Sequence, residues 1–175
     1  MRRESEEVSL REVLEFRERK AAMREEMLRG EAGGTVISLA MNIPGPVKSG
    51  ERIRAAQREG CRQIRRRLCE EGIVPVSETA IDGKAGDASI FLLRDADALF
   101  CKKKMVELEE EHPLGRIWDI DVWTGRGAVS RGELGIPPRR CLICGEEAKV
   151  CARGRMHSVS QLKERVEELL KWMDR

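Results

Sequence analysis

The segment that decides the fold reads Arg116-Ile-Trp-Asp-Ile-Asp-Val-Trp123, in which apolar and polar residues alternate over the length of a strand. Side chains two positions apart on a strand project from the same face. The segment is therefore predicted to be a strand that presents Asp119 and Asp121 side by side.

Five further elements of the core precede this strand, and their order predicts how it pairs. Residues 35–41 and 88–93 are β-rich and apolar, residues 73–80 form an edge strand because of an early proline, and residues 51–71 and 95–111 keep helical spacing. The order β-α-β-β-α-β is the split pattern of ferredoxin-like folds. In such a fold the fourth strand lies antiparallel beside the first, so the loop after the first strand is expected to meet the start of the fourth.

A helix is expected at each end of this core. A capping box at Ser9 begins a helical pattern that ends at Gly30, and a second capping box at Ser158 begins the last one. Residues 124–157 are rich in Gly, Pro, Arg and Cys and show little periodicity. The predicted fold class is α+β: a ferredoxin-like core flanked by N- and C-terminal helices, with an irregular Cys/Arg-rich segment before the last helix. The whole chain, residues 1–175, is predicted to form a single domain.

The composition is typical of a globular protein, since 41% of the residues are hydrophobic and 37% are charged. A net charge of +2 is too mild to indicate nucleic-acid binding by itself. The apolar runs are too short to span a bilayer, and the first residues lack the apolar core of a signal peptide. We therefore expect a cytoplasmic protein, in which the six cysteines are core residues, metal ligands or nucleophiles rather than disulfides.

Asp119 and Asp121 are the first candidate site. Two carboxylates on one face repel unless a cation lies between them, and their hard oxygens suit Mg²⁺, which commonly binds one or two carboxylates together with substrate phosphates. Phosphoryl and nucleotidyl transfer depend on such a metal. The alternative is the polar face of an exposed strand. Asp95 and Asp97 have the same spacing but open a helix, where Asp is a cap, so we interpret that pair as structural.

Two further features suit phosphate groups. The loop Pro44-Gly-Pro-Val-Lys48 opens toward the N-terminus of a helix, where free backbone N–H groups favour anions, and Lys48 adds a positive charge. Residues 125–157 contain seven basic residues against three acidic ones, and arginine forks match phosphate geometry. A plain connecting loop and a solvated basic surface are the alternatives.

A cysteine group is a further candidate site. Cys141, Cys144, Cys151 and His157 have the residue types of a Cys₃His zinc site, although some of these thiols could instead be core residues. The other cysteines fall on predicted helices and are expected to be packed or bystander residues: Cys61, Cys69 and Cys101.

Four blocks of residues, taken in order, resemble the apo-citrate lyase phosphoribosyl-dephospho-CoA transferases, also called holo-citrate lyase synthases. The blocks are Asn42-Ile-Pro-Gly-Pro-Val-Lys48, Glu110-Glu-His-Pro-Leu-Gly-Arg-x-Trp-Asp-x-Asp-Val122, Leu134-Gly-x-Pro-Pro-Arg-Arg-Cys-Leu-x-Cys144 and Val150-Cys-Ala-Arg-x-Arg-x-His-Ser158. The resemblance extends over nearly the whole chain, from Ser9 to Trp172.

The resemblance implies a transfer of the nucleotidyltransferase kind. A serine hydroxyl of the apo acyl carrier subunit of citrate lyase would attack the innermost phosphate of triphosphoribosyl-dephospho-CoA, pyrophosphate would leave, and a phosphodiester would join the carrier to its prosthetic group. Asp119-x-Asp121 resembles the metal-binding pair of nucleotidyltransferases. The Gly-Ser element that usually precedes that pair is missing here, and Gly115-Arg116 stands closer.

Residues and resemblance together give one hypothesis for the site. Asp119 and Asp121 hold Mg²⁺, Arg116 belongs to the catalytic set, and His157 either assists the serine or binds zinc. Substrate binding is assigned to Asn42, Gly45, Lys48, Arg139, Arg140, Arg153 and Arg155. The expected partners are the donor and the apo carrier, with neither nucleic acid nor a membrane.

Two other functions stay open at this stage. A transferase of the same chemistry could serve the carrier of malonate decarboxylase. A zinc-dependent module could use the basic segment to bind nucleic acid, but that segment offers no aromatic residue for base stacking between Trp123 and Trp172. The citrate lyase transferase is favoured because paired carboxylates, a basic segment and an anion-receptive loop all suit a triphosphate donor.

Overall fold

A five-stranded antiparallel sheet forms the centre of the protein, whose computed structural model describes residues 6–174. The strands lie in the order β2-β3-β1-β4-β5. Their bounds are β1 Thr35–Met41, β2 Ser77–Ile81, β3 Ala88–Leu93, β4 Trp118–Thr124 and β5 Gly127–Val129. The strand β2 lies at the edge of the sheet, and Pro75 precedes it. The missing N–H of this proline therefore costs the sheet no hydrogen bond.

Helices lie before, between and after these strands. They are α1 Leu10–Gly30, α2 Glu51–Glu70, α3 Ala98–Glu111, α4 Ala148–Gly154 and α5 Val159–Leu170, with 3₁₀ turns at Gly115–Ile117, Gly132–Leu134 and Lys171–Asp174. Both predicted capping boxes are present, because Ser9 accepts the N–H of Glu12 and Ser158 accepts that of Gln161. The α+β class is confirmed.

The predicted meeting of β1 with β4 is confirmed. The two strands are antiparallel, with Ala40 opposite Asp119 and Ser38 opposite Asp121. The N–H of Asn42 continues this pairing beyond β1, donating to the carbonyl of Ile117 at 2.8 Å. The loop that follows β1 therefore lies against the start of β4, which carries the two carboxylates.

Each face of the sheet has its own core. One face, which includes Leu39 and Ile120, packs against α2, α3 and α5. The opposite face is covered by α1, whose Phe16 and Met23 pack against β1 and β3. Burying such a side chain contributes about 1.5–3 kcal/mol, so both layers stabilise the sheet. Since apolar residues of β4 alternate with its acids, Asp119 and Asp121 belong to the α1 side.

Three local predictions were imprecise for physical reasons. The strand predicted at 73–80 begins only at Ser77, because the turn that ends α2 bonds the N–H of Ile73 to Leu68. The helix predicted from residue 95 begins at Ala98, after the cap Asp97. The segment expected to be irregular contains β5 and α4, which are too short to show periodicity. Within residues 6–174 no helix combines the length and apolar character needed to cross a bilayer.

Candidate active site

Asp119 and Asp121 project from the same face of β4, as their spacing predicts. The Asp119 side chain is 47% exposed, whereas Asp121 is more enclosed. Burial, and then the neighbouring charge of Asp119, raise the pKa of Asp121 above its ordinary value, even though nearby basic side chains act to lower it. The pair therefore carries an unfavourable charge that a bound cation would relieve.

A third oxygen lies beside the pair. Ser38 is 1% exposed, faces Asp121 across the β1–β4 ladder, and its hydroxyl has no hydrogen-bond partner among residues 6–174. Leaving a buried hydroxyl unpaired is costly. Two carboxylates and an unpaired hydroxyl are the oxygen donors that Mg²⁺ prefers, so the side chains present here fit that ion.

Basic residues of α1 lie over this acidic face. Arg17, Lys20 and Arg24, spaced by three and four residues, occupy one side of α1 and are called here the basic stripe. Lys20 and Arg24 act to lower the pKa of Asp121. The guanidinium of Arg24 lies 3.5 Å from the ring centre of Trp123, and its side chain is only 12% exposed.

The basic stripe was missed in the sequence, where the polar residues of α1 had the appearance of an ordinary solvated surface. A signal was available, because the apolar residues Phe16, Met23 and Met27 identify the side of α1 that packs against the sheet. Lys20 falls within that side, at the helical spacings i+4 from Phe16 and i−3 from Met23. A cation within an apolar stripe indicates an acidic partner underneath it.

Lys48 and Gly45 shape the loop after β1. The Nζ of Lys48 donates to the carbonyl of Ile43, and burial, followed by the charge of Arg17, lowers the pKa of Lys48. Gly45 has φ = +80° and contacts Lys163 of α5 so closely that a Cβ would clash with that side chain. The loop is therefore a packed element rather than a loose connection.

Arg116 and Arg139 clamp two segments together through backbone carbonyls. The Nη2 of Arg116 donates to the carbonyls of Arg140 and Cys141 at 2.6 and 2.9 Å. The Nη2 of Arg139 donates in the opposite direction, to the carbonyls of Arg116 and Trp118 at 2.7 Å each and of Gly115 at 3.2 Å. The start of β4 is thereby joined to the segment that contains the cysteines.

Among the described residues, β5 pairs with Val122–Thr124 and leaves the first half of β4 without a strand on that edge. Charged side chains bind the backbone there instead. Glu109 accepts the N–H of Ile120 at 3.0 Å, and Lys102 donates to the carbonyl of Ile120 at 3.1 Å. Arg131 binds Glu109 at 3.0 Å. Sequence analysis missed this network, although Lys102 and Glu109 stand seven residues apart on the buried side of α3.

The predicted cysteine group comes together. The ligand atoms of Cys141, Cys144, Cys151 and His157 all lie within 4.8 Å of one another. Cys144 Sγ is 3.4 Å from Cys151 Sγ and 3.3 Å from His157 Nε2. The hydrogen bond between Cys151 and Cys144, followed by burial, raises the pKa of Cys151 to about 12. The other cysteines lie apart, with Cys61 and Cys101 buried and Cys69 exposed.

A cavity of about 620 Å³ separates this cluster from the loop after β1. Six of the predicted residues line it: Asn42, Gly45, Cys141, Cys151, Arg155 and His157. The remaining predicted arginines lie elsewhere on this segment: Arg140 is exposed and donates to the carbonyl of Gly145 at 3.2 Å, and Arg153 is exposed on α4.

Comparison with known proteins agrees with these features. The family model of the apo-citrate lyase phosphoribosyl-dephospho-CoA transferases matches residues 8–173. Relatives of that name from Shigella boydii serotype 18 and Escherichia coli O157:H7 are each 35% identical to this chain over 168 residues, which cover 95% of this chain and 91% of the relative. The chain therefore belongs to the apo-citrate lyase phosphoribosyl-dephospho-CoA transferase family, a family of transferase enzymes.

Proposed function

We propose that this enzyme transfers the phosphoribosyl-dephospho-CoA group from triphosphoribosyl-dephospho-CoA to a serine of the apo acyl carrier subunit of citrate lyase. The serine oxygen forms a bond to the innermost phosphorus, the bond to the bridging oxygen of pyrophosphate breaks, and the hydroxyl proton is released. Family membership supports the reaction. The observation that carries the assignment of the site is the pair Asp119 and Asp121 beneath the basic stripe of α1.

Asp119 and Asp121 are the proposed ligands of Mg²⁺, with the Ser38 hydroxyl beside them. When bound, the ion supplies neutralisation of phosphate charge and stabilisation of the leaving oxygen. The two carboxylates would hold the ion in place because they lie on β4, a strand inside the sheet. Glu109 and Lys102 fix the backbone of that strand at Ile120. A site built on a strand holds its geometry better than one built on a loop.

The triphosphate is proposed to lie between the acidic pair and the basic stripe. Lys20 and Arg24 are close enough to influence Asp121, and Arg17 is close enough to influence Lys48. These cations therefore place positive charge beside Asp121 and beside the loop that follows β1. A donor with several phosphate charges suits such a surface because charge-assisted hydrogen bonds are the stronger ones.

The rest of the donor is proposed to occupy the 620 Å³ cavity, whose size falls in the range of small-molecule sites. Leu142, Val159 and Leu162 give it an apolar lining, while Asn42 and Arg155 supply polar contacts. The cavity adjoins the acidic strand, because Asn42 is bonded to Ile117, two residues before Asp119.

The clamping arginines have a different proposed role. Arg116 and Arg139 donate to carbonyls, so we assign them to positioning of β4, while Arg140 and Arg153 stay exposed and available to phosphate or to the acidic surface of a carrier. His157 is assigned to the cysteine cluster rather than to proton transfer, because its Nε2 faces Cys144 Sγ.

Intact-mass analysis tests the reaction. Apo carrier of citrate lyase is incubated with the donor, Mg²⁺ and this enzyme, and a mass gain equal to the donor minus pyrophosphate is expected. A carrier whose acceptor serine is replaced by alanine is the matched control. No mass gain on the intact carrier would overturn the proposal, and modification of the malonate decarboxylase carrier alone would assign the same chemistry to that partner.

A further inference from the structure

We propose that Cys141, Cys144, Cys151 and His157 form a structural zinc site. Zinc–sulfur bonds of about 2.3 Å and zinc–nitrogen bonds of about 2.0–2.1 Å place the ligand atoms of a tetrahedral site roughly 3.5–3.8 Å apart. Here the four ligand atoms lie within 4.8 Å of one another, and the two shortest separations are 3.3 and 3.4 Å. These separations bracket the tetrahedral spacing, so the four ligand atoms are close enough to share a single ion.

The local backbone is built to hold these ligands. The N–H of Cys141 donates to the carbonyl of Glu146 at 2.7 Å, which closes the turn containing Cys144. The N–H of Ile143 points at Cys141 Sγ at 3.5 Å, the kind of contact that supports a ligating thiolate. Arg155 adopts φ = +48°, and this left-handed residue turns the chain from α4 back toward the cluster.

The segment needs a cross-link because its own core is small. Helix α4 has seven residues, far fewer than an isolated helix requires, and within residues 6–174 its N-cap Glu147 makes no side-chain capping bond. Cys151 is its one buried residue in the part of the chain that the structure describes. Val150 and Met156 nearby are 56% and 67% exposed. Apolar burial therefore does not explain how α4 is held, whereas a metal bound through Cys151 does.

The ligand set selects the ion and its role. Three thiols and one imidazole suit zinc, whereas Mg²⁺ prefers oxygen. Four protein ligands close the coordination shell, which is typical of structural rather than catalytic zinc. Cys141, Cys151 and His157 also line the cavity, and the carbonyl of Cys141 is held by Arg116. The ion would thus fix one wall of the cavity relative to β4, whichever reaction the cavity serves.

Metal analysis of the full-length chain, purified without chelators, tests the site. We expect one zinc ion per chain in the wild type and loss of zinc in Cys144→Ser. The matched control is Cys69→Ser, which removes an exposed cysteine outside the cluster and is expected to retain zinc. Wild-type protein that carries no zinc after expression in zinc-supplemented cells would overturn the proposal, as would equal loss of zinc in the Cys69 variant.

A second measurement does not depend on any variant's folding. Wild-type protein reloaded with Co²⁺ is expected to show the visible absorption of a tetrahedral thiolate site, and zinc added afterwards should abolish it. Absence of that absorption, or a disulfide between Cys144 and Cys151 found by intact mass in freshly purified protein, would count against a zinc site.

Discussion

Ser38 and Asp121 lie opposite each other on the β1–β4 ladder, and the Ser38 hydroxyl has no hydrogen-bond partner among the described residues. Directly opposed side chains on antiparallel strands lie close enough to act on a common ligand. The arrangement is costly for the protein alone, because a buried hydroxyl is unpaired next to a carboxylate whose pKa burial raises. Both costs disappear if the face binds a cation.

Replacing Ser38 by alanine is therefore expected to weaken Mg²⁺ binding without lowering the stability of the fold. Ser38→Ala should leave the free energy of unfolding unchanged or slightly higher, because it removes an unsatisfied buried group. It should also raise the Mg²⁺ concentration needed for half-maximal transfer. Thermal unfolding and a Mg²⁺ titration of the transfer rate measure the two effects.

Ser89→Ala is the control for that variant. Ser89 is also buried, on β3, but its hydroxyl has a partner, Cys61 Sγ at 3.1 Å. This control should lose stability without a change in the Mg²⁺ requirement. An unaltered Mg²⁺ requirement in Ser38→Ala would remove that hydroxyl from the metal site.

Asp119→Asn tests the acidic pair with little change in shape. If the carboxylate holds the ion, transfer should fall by about a hundredfold or more, because metal stabilisation of such a transition state is worth several kcal/mol. The matched control is Asp95→Asn, which alters the first residue of the other Asp-x-Asp sequence. Near-wild-type transfer by Asp119→Asn, measured by intact mass over time, would contradict the proposed role.

The basic stripe predicts a change in donor binding. Lys20→Met keeps the length of the side chain and removes its charge, so the KM for the donor should rise by about tenfold, as expected for the loss of one charge-assisted contact. The increase should shrink at high salt. Arg19→Met, on an exposed position of the same helix, is the control. Equal KM values for the two variants would exclude the stripe from phosphate binding.

The sequence predicted those parts of the molecule that local patterns determine. Alternation in residues 116–123 identified β4, and the capping boxes at Ser9 and Ser158 identified the first turns of α1 and α5. The pairing of β1 with β4 followed from the order of elements. The cysteine group was found from residue type and spacing alone, and the structure brings its four ligand atoms together.

What the sequence could not reveal depends on three-dimensional proximity. Lys20 differs from other charged residues of α1 only because the sheet beneath it carries Asp121. Arg139 has the sequence context of a phosphate ligand, but its guanidinium donates to carbonyls of the turn before β4. A guanidinium suits phosphates and carbonyl groups alike, so residue type does not distinguish the two roles.

Arg139→Lys tests the clamp. Lysine keeps the charge but cannot reach three carbonyls with one planar group, so the free energy of unfolding should fall by about 1–3 kcal/mol. Urea unfolding measures this loss, and Arg153→Lys, on an exposed site, should show none. If Arg139→Lys instead keeps full stability and weakens only donor binding, Arg139 contacts phosphate directly.

His112 predicts a dependence of stability on pH that lies outside the active site. Its ring stacks on Trp118 at 4.4 Å between centres, and its Nδ1 accepts the N–H of Leu114 at 3.1 Å, a bond that only the unprotonated nitrogen can accept. Burial lowers the pKa of His112 from its ordinary value, although Glu59 opposes this effect and Arg62 and Arg66 reinforce it.

Below a pH of about 6.5 the unfolded chain therefore takes up a proton that the folded chain resists. The contribution of His112 to the free energy of unfolding is fully present above its unfolded-state pKa. It is lost as the pH falls toward the lower pKa that His112 has in the folded chain. His112→Asn retains an acceptor for Leu114 but does not titrate, so it should lose less stability than the wild type between pH 7 and pH 5.5. Urea unfolding at both pH values measures the difference. Identical losses in the two proteins would show that His112 is protonated as easily in the folded chain as in the unfolded one.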